Sequence, residues 1–170
     1  SELKDAGVDG INVSLDTVDR QRYQEITGFD GLDQVLSGVR AAAAAGLKVK
    51  INAVSLAGDA PREGTYSWEP VAELARSLPV DVRFIEMMPI GYGKQFETVD
   101  HEELKQQMKQ VYPGMEPDGV SHGYGPAVYY RIPGFMGGIG LISAIHGKFC
   151  SDCNRIRLTS TGYMKTCLCY

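Results

Sequence analysis

Short strand-like and helix-like segments alternate through the first 90 residues, and this alternation limits the fold more than any other feature of the sequence. Strand patterns cover residues 10–16, 48–56 and 82–88, and helix patterns cover residues 18–27, 31–45 and 68–78. Strands that are joined by helices run parallel, because a helical crossover returns the chain to the same end of the sheet. The sequence therefore predicts an α/β fold with a parallel sheet, whose strands carry polar residues toward their carboxyl ends.

The pattern changes near residue 97. Thr98 or Asp100 is expected to cap a helix over roughly residues 100–112. Four short strand patterns follow, at residues 127–132, 139–145, 155–159 and 163–167, and the last two are predicted to form a hairpin that turns at residues 160–162. We therefore predict two parts, residues 1–97 and residues 98–170.

Composition excludes several classes of protein. The chain has 170 residues, a net charge of −4 and 44% apolar residues, which is too apolar for a disordered tail. No apolar run approaches the roughly 20 residues of a membrane span. The mildly acidic net charge also gives no sign of the basic surface that would bind nucleic acid or membrane in general. The chain opens on Ser1 in a helix-like pattern and stops at Tyr170 in a strand-like one. We therefore expect an internal fragment of a longer protein. We also expect that protein to be cytoplasmic.

All four cysteines lie near the end of the sequence, at Cys150, Cys153, Cys167 and Cys169. Disulfide frameworks spread their cysteines over a domain, so this clustering favours a metal site in a reducing compartment. From spacing alone a zinc site with four cysteines is favoured over an iron–sulfur cluster held by three.

Arginines accompany these cysteines. Arg155 and Arg157 follow Cys153 directly, and alternate residues of a strand share one face. Two guanidinium groups beside a metal centre suit an anionic ligand such as a phosphate. The alternative is an ordinary solvated edge strand.

Four segments of the sequence carry a further signal: Gly10 to Asp16, Arg83 to Gly91, Gly125 to Gly134 and Phe149 to Thr159. In this order they resemble the GTP 3′,8-cyclase family of radical S-adenosylmethionine (SAM) enzymes of molybdenum cofactor biosynthesis. The resemblance implies an incomplete, TIM-like (β/α)6 barrel with a C-terminal α+β extension that carries an iron–sulfur site. It also implies a lyase that converts GTP into (8S)-3′,8-cyclo-7,8-dihydroguanosine 5′-triphosphate by means of SAM and two [4Fe–4S] clusters.

The resemblance implies roles for nine residues of this sequence. The ligands of the second, substrate-binding [4Fe–4S] cluster would be Cys150, Cys153 and Cys167; GTP would contact Lys50, Arg155, Ile156 and Arg157; and SAM would contact Ser14 and Met88. Lys50 shares a strand face with Lys48 and Asn52, and in a barrel that face would line the lumen.

Several features depart from the family pattern. The Cys-x3-Cys-x2-Cys loop that binds the SAM-cleaving cluster is absent, so no catalytic residue is assigned and this piece alone is expected to be inactive. Cys169 is expected to be a bystander or an occasional fourth ligand. His101 is expected at the surface and His122 in a loop, while His146, the histidine nearest the cysteines, has no assigned role.

Two other functions stay open at this point. One is a different radical SAM enzyme with an auxiliary cluster, acting on a peptide; the other is a non-catalytic zinc-binding module with four cysteines. The family resemblance further implies a homodimer, coupled functionally to cyclic pyranopterin monophosphate synthase.

Overall fold

The computed structural model describes residues 2–56, 67–123, 125–146 and 156–167. Its α-helices are α1 (Glu2–Asp5), α2 (Arg20–Thr27), α3 (Leu32–Ala44), α4 (Glu69–Ser77) and α5 (His101–Val111), with a 3-10 turn at Gly91–Gln95. Its strands are β1 (Gly10–Ser14), β2 (Lys48–Ser55), β3 (Val80–Glu86), β4 (Glu116–Pro117), β5 (Val128–Arg131), β6 (Ile139–Ile142), β7 (Arg157–Leu158) and β8 (Met164–Lys165).

Six strands form one mixed sheet in the order β1-β2-β3-β6-β5-β4, and β7 pairs with β8 in a separate hairpin. The pairs β1–β2, β2–β3 and β3–β6 are parallel, while β5 and β4 extend the sheet in antiparallel fashion. The predicted α/β fold is thus confirmed, and the sheet is parallel as predicted except at β5 and β4. Because β6 pairs with β3, strands from both sides of residue 97 share this sheet; the division into two parts at that residue stays a prediction.

The two faces of the sheet differ because apolar and polar residues alternate along its strands. In β2, Val49, Ile51 and Ala53 are buried on the face covered by helices, and Phe84 of β3 lies in the same core. Helix α4 packs against β3 and contributes Val71, Ala72 and Ala75 to this core. The opposite face carries the polar residues and is the face on which a site can be built.

Local signals place the ends of the helices. Asp100 is the N-cap of α5, where its side chain accepts a hydrogen bond from the Glu102 amide at 2.7 Å. Gly46 follows α3 with a φ of 75°, a left-handed conformation that favours glycine. None of the helices within the described residues is long and apolar enough to cross a membrane.

Some predicted boundaries were wrong. Strand β3 begins at Val80 rather than residue 82, because Val80 pairs with Val49 of β2, and it ends at Glu86, shortly before Pro89. The hairpin turns at the predicted residues, but its paired strands contain only two residues each, in register Arg157 with Lys165 and Leu158 with Met164.

The approach of β6 to β3 requires a glycine, and this can be tested. A Cβ built on Gly137 would lie 1.9 Å from the carbonyl oxygen of Val80, whereas a Cβ on Gly38, inside α3, would meet nothing within 4 Å. We expect Gly137→Ala to lower the free energy of unfolding by about 1–3 kcal/mol, because the main chain at Gly137 or Val80 must move to make room for the added Cβ. The matched variant Gly38→Ala should raise it by up to about 1 kcal/mol, since alanine favours a helix interior. Urea unfolding of both variants measures this, and equal effects would contradict the packing argument.

Candidate functional site

A cavity of about 670 Å³ lies on the polar face of the sheet. Strands β1, β2, β3 and β6 form one wall, and residues near His122 and the end of the β7–β8 hairpin form others. The polar and sulfur-bearing residues that line it are Asp9, Asn12, Lys48, Lys50, Asn52, Arg83, Met88, His122, Arg157, Thr166 and Cys167.

Arg83 is the central polar residue of this wall. Its Nε donates to the Asn52 side-chain oxygen at 2.8 Å, and one terminal nitrogen donates to the Asn12 side-chain oxygen at 2.8 Å. The residue is only 7% exposed, and both of these acceptors are neutral amides. A buried cation that is held by neutral groups is poised to attract an anion, because nothing in these two hydrogen bonds balances its charge.

The charges of the lining are unbalanced in the same direction. Lys48, Lys50, Arg83 and Arg157 line the cavity, and Asp9 is the one acidic residue among its described lining residues. The chain as a whole carries a net charge of −4, so this local excess of basic groups runs against the overall composition. Such a concentration of cations in a concave site favours an anionic ligand.

Burial and the neighbouring positive charge both act on Lys50. Its pKa is lowered, first by burial and then by the positive charge of Arg83, while Asp81 acts in the opposite direction. Its ammonium donates a hydrogen bond to the main-chain carbonyl of His122. A bound anion would favour the charged form of this side chain.

Four of the nine predicted site residues line this cavity: Lys50, Met88, Arg157 and Cys167. Ser14 is the exposed last residue of β1, two positions beyond Asn12 on the same face. Ile156 is 67% exposed. Cys150, Cys153 and Arg155 lie outside the described residues. Within the described ranges, no group of three His, Cys, Asp or Glu residues is placed to hold a metal ion.

His122 occupies a loop, as expected, but has more contacts than a loop residue needs. Its Nδ1 lies 2.9 Å from Asp81 Oδ2, and its Nε2 lies 3.0 Å from Asp118 Oδ2. The ring also stacks on Tyr129, with centroids 4.0 Å apart and planes at 9°.

The prediction that His101 lies at the surface was wrong. His101 is 2% exposed, and its ring nitrogens lie 3.1 Å from Ser55 Oγ and 3.3 Å from Ser143 Oγ. The start of α5 thus lies against Ser55 at the end of β2 and Ser143 just after β6, a tertiary contact that the position of His101 at a helix start does not reveal. Burial lowers the pKa of His101, although Glu86 and Asp100 oppose the shift.

Glu86 connects the end of β3 to the chain that precedes the cysteines. Its buried carboxylate accepts hydrogen bonds from the amides of Ile145, at 2.6 Å, and His146, at 3.2 Å. The Nδ1 of His146 also contacts this carboxylate, and that hydrogen bond raises the pKa of His146. The arrangement fixes the chain at residues 145–146, which lead toward Cys150.

Sequence reasoning missed Arg83, Asn12 and the carboxylates beside His122 as parts of a site. The available signal was the alternation of polar and apolar side chains along each strand. Asn12, Asn52 and Arg83 each lie on the polar face of a parallel strand. The pairing of strands β1, β2 and β3 brings them together, and that pairing is what the sequence alone did not specify.

Comparison with known proteins matches residues 80–170 to a family described as Molybdenum Cofactor Synthesis C. The GTP 3′,8-cyclases of Alkaliphilus oremlandii and Clostridium perfringens strain SM101 are each 41% identical to this chain, and each alignment covers 98% of the chain. The GTP 3′,8-cyclase of Moorella thermoacetica is 42% identical over 169 residues, again 98% of the chain. The chain spans about half the length of these curated relatives, 50% of the first two and 51% of the third.

The buried histidine predicts a pH dependence of stability. Because the pKa of His101 is lowered in the folded state, the unfolded chain binds the proton more readily, and stability is lost as the pH falls below about 6.5. We expect His101→Gln to reduce the loss of unfolding free energy between pH 7 and pH 5. Denaturant unfolding at several pH values measures the difference between the two proteins.

His146 provides a matched control of opposite sign. Its raised pKa stabilises the fold below about 6.5, and that contribution disappears as the pH rises through the folded value. His146→Gln should therefore lower the free energy of unfolding more at acid pH than at neutral pH.

The outcome for His101 is decided separately. Identical dependences of the unfolding free energy on pH for wild type and His101→Gln would show that His101 does not change its protonation on unfolding.

Proposed function

This chain belongs to the Molybdenum Cofactor Synthesis C family, and from that premise we propose that it is the substrate-binding part of a GTP 3′,8-cyclase. The complete protein would convert GTP into (8S)-3′,8-cyclo-7,8-dihydroguanosine 5′-triphosphate, an early step toward molybdenum cofactor. Because the chain spans about half of its relatives' length, the activity is proposed for the complete protein. The chain by itself is not expected to cleave SAM.

The cavity with its surplus of basic groups is the observation that carries this proposal. A triphosphate brings several negative charges, and Lys50, Arg83 and Arg157 offer the ammonium and guanidinium groups that bind phosphate oxygens. Arg83 is held in place by Asn12 and Asn52, so its orientation is set before a ligand arrives. This preorganisation favours GTP over the peptide substrate of the alternative reading, because an ordinary peptide offers no comparable charge.

Cys167 supports a cluster at the same cavity. It is half-buried and lines the cavity together with Arg157, so a metal centre that it ligates would lie beside the proposed phosphate site. We propose Cys150, Cys153 and Cys167 as the three ligands. When bound, a [4Fe–4S] cluster with three thiolates offers an open iron position to a substrate atom. The residues described here would hold and orient the rest of the nucleotide.

The remaining proposals concern SAM, the barrel and the partners. Ser14 is the last residue of β1 and Met88 comes two residues after β3, so both lie at the carboxyl ends of strands, where ligands bind in parallel α/β folds, and we propose them as SAM contacts. Further strands beside β1 would complete a (β/α)6 barrel around the cavity. We also propose a cytoplasmic homodimer whose product passes to cyclic pyranopterin monophosphate synthase.

Equilibrium binding of GTP to the full-length protein tests the proposal. Arg83→Met keeps an unbranched aliphatic stem but removes the guanidinium and its charge, and Arg157→Ala removes the second guanidinium. We expect Arg83→Met to weaken GTP binding by roughly thirtyfold or more, because loss of one partner of a desolvated charge pair costs about 2–5 kcal/mol. Arg157 is exposed, so Arg157→Ala should weaken binding by a smaller factor, but still measurably. Iron content should be unchanged in both.

Arg20→Ala is the matched control. Arg20 forms ion pairs with Asp30 and Asp33 at the surface, so its removal should leave GTP affinity within about twofold, as for ordinary surface substitutions. Wild-type affinity in both Arg83→Met and Arg157→Ala would remove the phosphate site proposed here. Failure of the wild-type protein to bind GTP at all would remove the proposed function.

The number of cysteine ligands gives a separate prediction. Cys167→Ser should abolish the second cluster, with a loss of about four irons per chain, because two thiolates do not hold the cluster. Cys169→Ser should retain it, since the proposed set contains three cysteines. Iron and sulfide analysis after anaerobic reconstitution measures both variants, and iron loss on changing Cys169 alone would contradict the three-ligand set.

A further inference from the structure

The imidazole of His122 lies between two carboxylates near the amino-terminal ends of β2 and β3. Its Nδ1 faces Asp81 Oδ2 at 2.9 Å and its Nε2 faces Asp118 Oδ2 at 3.0 Å. An ionised carboxylate can only accept hydrogen bonds, so satisfying both contacts requires a proton on each ring nitrogen. The geometry is that of an imidazolium held by two charge-assisted hydrogen bonds.

The electrostatics agree with this geometry. Burial alone lowers the pKa of His122, but the hydrogen bonds and charges of Asp81 and Asp118 outweigh it, and the pKa is raised. The bond to His122 also helps to lower the pKa of Asp118, after the larger contribution of the Val120 amide. His122 and Asp118 therefore support each other's charged forms, and Asp81 further supports that of His122.

These contacts attach the loop before Gly123 to the sheet at several points. Asp81 Oδ1 accepts a hydrogen bond from the Gly138 amide at 3.1 Å, just before β6. The amide of Asp118 donates to the Tyr129 carbonyl at 2.9 Å, and the Tyr129 ring stacks on the imidazole. The His122 ring thus connects the loop to β3 and β5 at once.

The main chain of the same residue meets Lys50. The Lys50 ammonium donates to the His122 carbonyl oxygen, and its Nζ lies 5.8 Å from the centroid of the Tyr129 ring. In the register of the sheet, Lys50 is paired with Asp81, the residue that holds the imidazole. His122 itself lines the cavity, so the carbonyl presents Lys50 at the cavity wall.

We infer that His122 is a positioning residue: its imidazolium, fixed between Asp81 and Asp118, holds the carbonyl that orients the Lys50 ammonium toward an anionic ligand in the cavity. This inference rests on the proposed function for the identity of that ligand as the nucleotide. It does not require His122 to touch the nucleotide. The role belongs to a residue to which neither the spacing of motifs nor the family resemblance assigned any function.

Chemical labelling of lysines tests the orientation of Lys50 without any nucleotide. The full-length protein is treated with a limiting amount of a succinimidyl ester, and peptide mass spectrometry measures labelling of Lys50 relative to its exposed neighbour Lys48. In His122→Gln and Asp118→Asn we expect the Lys50 to Lys48 labelling ratio to rise severalfold, because the ammonium loses its fixed acceptor. Asp30→Asn, which removes one carboxylate of a surface ion pair, is the matched control and should leave the ratio unchanged.

A double-mutant cycle on GTP binding tests the consequence. His122→Gln alone should weaken GTP binding by roughly tenfold, within the range of coupling between residues in contact. In a Lys50→Ala background the same substitution should have no further effect, because its target is gone. A merely structural role would lower thermal stability and weaken binding equally in both backgrounds, and that result would overturn the inference.

The labelling experiment and the GTP-binding experiment together distinguish failure of this inference from failure of the proposed function. If wild-type protein fails to bind GTP, the proposed function fails, and the labelling ratio still decides whether His122 orients Lys50. If both variants fold and the labelling ratio stays at the wild-type value, the positioning role is overturned whatever the affinity for GTP. Asp118→Asn retains the imidazole and one acceptor oxygen, so it provides a folded variant should His122→Gln unfold.

Discussion

The contact of Arg83 with two neighbouring strands is the interaction on which the site depends. A guanidinium that is 7% exposed lies on the sheet face opposite the apolar core, and the amides of Asn12 and Asn52 hold it there. Its position requires β1, β2 and β3 to be parallel and in register, because the donors and acceptors come from all three strands. One face of the sheet thus contributes to the apolar core, and the other face positions the basic side chains that line the cavity.

The two faces of this sheet explain why a chain that is acidic overall presents a cationic surface locally. On the helix-covered face, residues such as Ile51 and Phe84 are fully buried and supply hydrophobic stabilisation. On the other face, Lys48 and Lys50 stand two residues apart on β2 and point toward the cavity. The period of two along a strand places the apolar and the basic side chains on opposite faces of the same sheet.

Much of the fold could be predicted from the sequence because it depends on local patterns. The N-cap at Asp100, the left-handed Gly46 after α3 and the alternation along β2 each depend on only a few consecutive residues. Among the candidate site residues, Lys50 and Met88 were identified through the family resemblance, and both line the cavity. The wrong assignment of His101 has the opposite cause, since its burial comes from Ser55 and Ser143, 46 and 42 residues away in the sequence.

The contacts that sequence reasoning missed share a physical property: they join polar groups that lie far apart in the chain. Arg83 and Asn12 are 71 residues apart, and Lys50 and the carbonyl of His122 are 72 residues apart. A polar residue has no local signature that says whether water or a distant partner will satisfy its hydrogen bonds, whereas an apolar periodicity shows directly which face is buried. The decisive information is the register of the strands, because it places Asn12 opposite Lys50, and Lys50 opposite Asp81. Once that register is known, the basic residues form one surface, and the imidazole of His122 acquires a role that its position in a loop does not suggest.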